Sequence, residues 1–148
     1  YDLIERRAKF GEQVIQFAKE IQINSVYKPL ISQLVRSATS IGANYMEADG
    51  AGSKRDFQHK IIICKKEAKE TMHWCRMMAV ANPELKIICR KLWSEAHEFA
   101  LIFSSNKEYT LYNTASPVLP SETYSSSLFP PPKKSKVIIE PSSFVISA

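Results

Sequence analysis

The chain has 148 residues, 20 of them basic and 15 acidic, and the net charge of +5 corresponds to a pI near 9.1. Its 45% hydrophobic and 24% charged content is the ordinary composition of a globular protein, and its length suits one domain rather than two. No apolar run reaches the roughly 18 residues of a membrane-spanning helix, and no secretory pattern opens the sequence. A basic pI raises the expectation of a nucleic-acid partner but does not bear on the fold.

Proline and serine content divides the chain near Ser104–Lys107. Only two of the eight prolines, Pro29 and Pro83, precede this boundary, and the rest lie among serines beyond it. We therefore predict a helical domain over 1–105 and an irregular or disordered tail over 106–148. The tail contains FPPPKKSK, which we interpret as part of a disordered linker, with a partner-domain or phosphate contact as the alternative.

The first predicted helix has apolar residues on one arc and polar residues opposite. The apolar arc consists of Leu3, Phe10, Val14, Phe17 and Ile21, and the polar face of Lys9, Glu12, Gln16 and Glu20. Arg7 points into the apolar arc. We expect its side chain to extend to solvent or to meet a carboxylate.

The second predicted helix starts near Pro29, a suitable first-turn residue. Its inner line is Leu30, Leu34, Ile41 and Tyr45. Small residues at Ser37, Ala38, Ser40, Gly42 and Ala43 keep the helix slim, so that a neighbouring helix can approach closely. We expect Gly50 and Gly52 to end it by adopting positive φ.

The third predicted helix opens at Ser53, a good N-cap, with Asp56 three residues on. Its seam repeats at intervals of three and four: Phe57, Ile61, Cys64, Ala68, Met72 and Cys75. Pro83 starts the fourth helix, whose seam is Leu85, Ile88, Leu92, Ala96, Phe99 and Phe103. The connections, roughly 22–28, 48–52 and 81–82, are short, which makes sequential helices antiparallel. The sequence predicts an all-α, up-down-up-down four-helix bundle.

Two motifs and their spacing carry a family resemblance. QLVRSATSIGANYMEADGAGSKRDFQHKI, followed by CKKEAKETMHW, resembles the four-helix-bundle family encoded in intervening sequences of bacterial 23S ribosomal RNA genes. The opening YDLIERRAKFGEQVIQFAKEI is similar to the first helix of that family. The accessory proteins of diversity-generating retroelements are more distantly similar.

The resemblance covers 1–105 and implies a closed bundle that assembles into a homo-oligomer, a five-membered ring, with no known catalysis. The retroelement relatives are basic rings that bind nucleic acid and a reverse transcriptase. The resemblance therefore implies self-association, and it suggests RNA or DNA, a reverse transcriptase or a ribosomal component as further partners. It does not extend to the tail, where relatives usually end soon after the fourth helix.

No arrangement of residues indicates an enzyme, so we predict no catalytic residue, no metal site and no cofactor. His59, His73 and His97 lack an i, i+4 partner, and the HEFAL segment lacks the second histidine of a zinc protease. We interpret the histidines as solvent-facing.

The three cysteines, Cys64, Cys75 and Cys89, form no CxxC pair. Their seam positions predict buried apolar roles, and their number fits a reducing cytosol. We expect a cytoplasmic protein.

Basic residues of the third predicted helix share one flank with His59 and His73. We call Lys54, Arg55, Lys65, Lys66, Lys69 and Arg76 the basic stripe. Between Ser53 and Met78, seven basic residues (the stripe and Lys60) exceed three acidic ones by four, nearly the excess of the whole chain. One interpretation is a solvated face with i, i+3 and i+4 ion pairs such as Lys66 with Glu70; the other is a surface for phosphates.

The opposite flank holds Asp56, Glu67 and Glu70 beside two large apolar residues, Ile63 and Trp74. Apolar groups exposed next to charge suggest an interface. We therefore predict that Ile63 and Trp74 contact a neighbouring subunit in a head-to-tail ring.

These observations favour a non-enzymatic, oligomeric bundle that contacts RNA or DNA non-specifically through the basic stripe. The alternative is a protein–protein interaction scaffold, for example an adaptor for a reverse transcriptase or a ribosomal factor, without a direct nucleic-acid role.

Overall fold

All of the regular secondary structure in the described part of the chain is helical. A computed structural model describes residues 3–105, which form helices α1 (Leu3–Glu20), α2 (Tyr27–Asp49), α3 (Lys54–Ala81) and α4 (Lys86–Ser105), with a 3-10 turn at Pro83–Leu85. The helices pack in an antiparallel up-down-up-down bundle, which confirms the predicted fold class. Residues 106–148, on which the tail prediction falls, lie outside the described residues. None of the described helices has the length and apolar content to cross a bilayer.

The predicted seams form the core. Among the described residues, the buried hydrophobic set includes Phe10, Val14, Phe17, Leu34, Ile41, Ile61, Cys64, Ala68, Met72, Cys75, Leu92, Ala96, Phe99 and Phe103. Trp93, which lies beside the predicted seam of α4, is also buried. The α2–α3 and α3–α4 contacts are the most extensive, and the α1–α4 contact is the smallest between neighbouring helices. Helix α3 therefore organises the bundle.

Side-chain caps set where the helices begin. The Ser53 Oγ accepts a hydrogen bond from the Asp56 N–H at 3.1 Å, as the sequence predicts for an N-cap. The Asn24 Oδ1 accepts from the N–H groups of Val26 and Tyr27 at 2.9 and 2.7 Å. Because Asn24 orders this turn, α2 starts at Tyr27, slightly before the predicted position at Pro29.

The α2–α3 turn is made without left-handed glycine, so that prediction was wrong. No glycine of residues 3–105 has positive φ, and Gly50 has φ −88° and ψ 7°. The Gly50 N–H donates to the Met46 oxygen at 3.2 Å, and the Ala51 N–H donates to the Ala48 oxygen at 3.0 Å. These bonds satisfy the last carbonyls of α2 while the backbone remains right-handed.

The small residues of α2 contact two neighbouring helices, α1 and α3. A Cβ on Gly42 would lie 3.7 Å from the Arg7 carbonyl oxygen, so α1 approaches closely there. On the α3 side, Ser37 is fully buried and its Oγ accepts a hydrogen bond from the Thr71 hydroxyl at 3.0 Å. The prediction that a slim α2 admits close neighbours is confirmed at both contacts.

Arg7 neither reaches solvent nor meets a carboxylate of the described residues, in contrast to both expectations. Its side chain is 1% exposed, and its Nη1 donates to the Leu3 carbonyl oxygen at 2.5 Å. The guanidinium carbon lies 3.7 Å from the centroid of the Tyr45 ring and 5.0 Å from that of Phe103. Burial lowers the pKa of Arg7, and the ring faces compensate part of the lost hydration.

Candidate nucleic-acid interface

The acidic edge of α3 faces α2 and is neutralised there. Arg36 of α2 forms ion pairs with Glu70 and, at 3.4 Å, with Glu67. At the other end of the same contact, Lys60 of α3 pairs with Glu47 of α2. Glu70 therefore pairs with Arg36 of α2 rather than with Lys66 of its own helix, which corrects the local ion pair expected from the sequence.

Hydrogen bonding and burial act in opposite directions on these carboxylates. Burial raises the pKa of Glu67 above its ordinary value. Burial also acts to raise the pKa of Glu70, but hydrogen bonds from Arg36 and Trp74 outweigh it and leave that pKa lowered. The hydrogen bond to Glu70 in turn raises the pKa of Arg36. The charge on this edge is thus satisfied within the bundle.

The basic stripe lies on the remaining edge and outer face of α3. Lys54, Arg55, Lys66 and Lys69 are exposed, and Lys65 and Arg76 are half-buried. Because the acidic edge faces α2 and α3 also packs against α4, the edge that carries the two half-buried residues borders α4. At about 1.5 Å per helical residue, the stripe extends about 30 Å from Arg55 to Arg76.

Two basic residues of α4 that sequence reasoning missed lie beside the stripe, along the groove between α3 and α4. Glu95 marks the α1 side of α4, because its carboxylate accepts hydrogen bonds from Arg6 at 2.5 and 2.8 Å. The opposite side carries Lys86 and Arg90, both exposed. Their spacing of four residues, continued by Trp93 and His97, was the available signal, but it has meaning only once α3 is known to lie beside it.

The histidines differ in their surroundings. His59 and His73 are exposed on the outer face of α3, as predicted. His97 is half-buried, its Nδ1 is inaccessible to solvent, and its ring stacks on Trp93 with centroids 5.1 Å apart. The solvent-facing interpretation was therefore wrong for His97, because the buried Trp93 ring offers it an apolar face.

The cysteines are buried apolar residues, as predicted. Cys64, Cys75 and Cys89 are free thiols with 0% exposure. Burial raises the pKa of Cys64 and of Cys89 to about 12, so these thiols are protonated at neutral pH. Within residues 3–105, no group of three or more potential metal ligands is assembled.

Ile63 and Trp74, the predicted subunit contacts, are both half-buried. The Trp74 Nε1 donates to Glu70 at 3.3 Å, and its ring meets His73 edge-on at 4.9 Å. The premise that they are exposed thus holds only in part, and their interface role stays a prediction. The exposed large apolar residues of the described chain are Ile15, Ile23, Val26, Met46, Val80, Ile87 and Leu101.

Fold and charge together define a small all-α bundle with one internally neutralised edge and one basic edge. A family model described as 23S rRNA-intervening sequence protein matches residues 1–100, and the chain belongs to this family, as its motifs predicted. A crystal structure of a protein of unknown function from the S23 ribosomal protein family of Bacteroides thetaiotaomicron is similar, with 26% identity and a TM-score of 0.63 over 70% of this chain and 96% of that one. None of the curated proteins matches.

Proposed function

We propose that this protein is a non-enzymatic, oligomeric bundle that contacts RNA or DNA non-specifically through the basic stripe. The observation that carries the proposal is the segregation of charge on α3. Glu67 and Glu70 are compensated by Arg36 of α2 and Lys60 is paired with Glu47 of α2, whereas four cations of the stripe remain exposed on the outer face and the remaining edge of α3. A surface of one sign favours association with a polyanion.

The exposed groups suit phosphates rather than bases. Lysine and arginine gain affinity by displacing counterions from a nucleic-acid backbone. None of the described phenylalanine, tyrosine or tryptophan side chains is fully exposed, and the exposed rings beside the stripe are the imidazoles of His59 and His73, so the described surface offers few rings on which unpaired bases stack. This combination supports sequence-independent binding.

Reversing three charges in the stripe is expected to abolish most of the affinity. In the full chain, Lys65→Glu, Lys66→Glu and Lys69→Glu together should weaken binding to a structured RNA at least about 100-fold at low salt. The slope of log affinity against log salt should become shallower by about 2 to 3, because each lost phosphate contact removes about 0.9. Fluorescence anisotropy across a salt series measures both quantities.

The matched control reverses three exposed lysines on α1 and α2, namely Lys9, Lys19 and Lys28. It changes the net charge equally, and we expect a loss of less than about tenfold because only long-range attraction changes. Equal losses in the two variants, or binding unaffected by the stripe variant, would rule out the stripe as the contact surface.

Assembly is a further part of the proposal, since a ring would present several copies of the stripe to one polyanion. We expect Trp74→Lys to dissociate the oligomer, with the change in molar mass followed by light scattering. Trp74→Phe is the control that keeps an apolar ring at this position. If the lysine variant keeps the wild-type mass and a native circular dichroism spectrum, Trp74 lies outside the subunit contact.

A protein-interaction scaffold is the second candidate, and one observation favours it. Four of the seven exposed large apolar residues are near the end of the bundle that holds the α1–α2 and α3–α4 connections: Ile23, Val26, Val80 and Ile87. Apolar residues grouped in this way are typical of surfaces that bind other proteins. Wild-type protein that fails to bind RNA and DNA at low salt would favour this function.

A further inference from the structure

Two exposed histidines share the outer face of α3 with cations of the basic stripe. His59 and His73 are exposed, and the exposed Lys66 lies midway between them in sequence. Each interval of seven residues is almost two helical turns, so the three side chains project in nearly the same direction at steps of about 10 Å along the helix axis. A polyanion bound on this face therefore meets the imidazoles as well as the lysine.

Each imidazole also has cationic neighbours one helical turn away. His59 follows Arg55 by four residues, and His73 follows Lys69 by four residues and precedes Arg76 by three. Side chains at these spacings lie next to one another on a helix surface. A phosphate held by the arginine or lysine is consequently within reach of a histidine ring nitrogen.

The nearest carboxylates lie on the same turns of α3, and one of them is already engaged. Asp56 precedes His59 by three residues, and Glu70 precedes His73 by three. The Glu70 carboxylate forms an ion pair with Arg36 of α2, so its charge is compensated towards that helix. Among the described residues, the surroundings of the two histidines are therefore mainly positive.

The neighbouring helices add further charged and titratable groups at the two edges of this face. From α2, Glu47 pairs with Lys60 of α3. From α4, the residues on the α3 side are Lys86, Arg90 and His97, of which His97 is half-buried and has an inaccessible Nδ1. His97 is thus the third histidine of the chain, but it is far less available to a ligand than the two on α3.

We propose that His59 and His73 belong to the phosphate-binding surface and make its affinity for nucleic acid depend on pH. The inference rests on the proposed function, because it concerns the same face of α3. Histidine is the side chain that ordinarily changes charge between pH 5 and 8. A protonated imidazole carries a positive charge and donates from both nitrogens, and a nearby phosphate favours that form. Affinity therefore rises as the pH falls, and binding takes up protons.

The test measures binding of the full chain to a structured RNA by fluorescence anisotropy at about pH 5.5 and pH 8, at constant ionic strength. We expect the wild-type protein to bind about tenfold or more tightly at the lower pH, because two further charges face the phosphates. His59→Gln together with His73→Gln should reduce this ratio to about threefold or less. At the lower pH, the slope of log affinity against log salt should become shallower by up to about 2, since each phosphate contact contributes about 0.9.

Two further variants separate the histidines from other causes of pH dependence. His97→Gln is the matched control and should keep the wild-type ratio. His59→Lys together with His73→Lys fixes the charge, so it should bind at pH 8 about as tightly as the wild-type protein binds at the lower pH. All three variants retain Asp56, Glu67 and Glu70, so any titration of these carboxylates affects them equally. Circular dichroism at both pH values establishes that each variant is folded.

The outcomes separate this inference from the proposed function. If wild-type affinity is the same at both pH values and still depends on Lys65, Lys66 and Lys69, the stripe stands and the histidine inference fails. The inference also fails if the double glutamine variant keeps the wild-type ratio, or if the double lysine variant gains no affinity at pH 8. Absence of binding at both pH values overturns both proposals.

Discussion

Replacing Phe99 with alanine is expected to lower the free energy of unfolding by about 3–5 kcal/mol, because it leaves a cavity in a packed core. Phe99 is 0% exposed, and its ring meets Phe10 of α1 edge-on with centroids 5.4 Å apart. The Arg6 guanidinium lies 5.0 Å from the same ring centroid. Since the α1–α4 contact is the smallest between neighbouring helices, Phe99 carries much of the attachment of α1 to α4.

Urea unfolding followed by circular dichroism measures the loss of stability, and hydrogen exchange locates it. Amides of α1 should exchange faster in the Phe99→Ala variant than those of α3, because α3 keeps its contacts with α2. Phe99→Leu fills most of the volume and should lower the free energy of unfolding by only about 1–2 kcal/mol. Equal acceleration in α1 and α3 would show that α1 does not depend on Phe99 in particular.

The bundle could be predicted from the sequence because its helices are strongly amphipathic. The seam from Phe57 to Cys75 repeats at intervals of three and four, which only a helix places on one side. The cap at Ser53 is equally local, since donor and acceptor are three residues apart. Charge segregation on α3 followed from the same periodicity, because angular position on a helix depends on sequence spacing alone.

Features that depend on which helices are neighbours could not be predicted. Arg36 lies far from Glu70 in sequence. Helical periodicity could therefore suggest for Glu70 only an ion-pair partner within α3. Lys86 and Arg90 had no recognisable role until α4 was placed beside α3. The conformation of Gly50 was mispredicted for another reason. A glycine can adopt positive φ because it has no Cβ, but its presence does not require that conformation.

Arg7 provides the second stability prediction, in which two substitutions should differ. Arg7→Ala is expected to lower the free energy of unfolding by about 2–4 kcal/mol, since it removes a fully buried side chain and leaves a cavity among aromatic rings. Arg7→Met is expected to change it by less than about 1 kcal/mol. A methionine fills a similar volume next to Tyr45 and Phe103, and it removes the unfavourable desolvation of a cation that has no carboxylate partner among the described residues.

Thermal and urea unfolding of the two variants distinguish a volume effect from a charge effect. If volume dominates, Arg7→Met should unfold close to the wild-type protein and Arg7→Ala well below it. If Arg7→Met is destabilised as much as Arg7→Ala, the positive charge itself is required, through the Tyr45 ring at 3.7 Å and the hydrogen bond to the Leu3 carbonyl oxygen. The cation–π contact with Tyr45 would then have to outweigh the desolvation of the guanidinium. The hydrogen bond to Leu3 joins two residues of α1 and does not connect Arg7 to another helix.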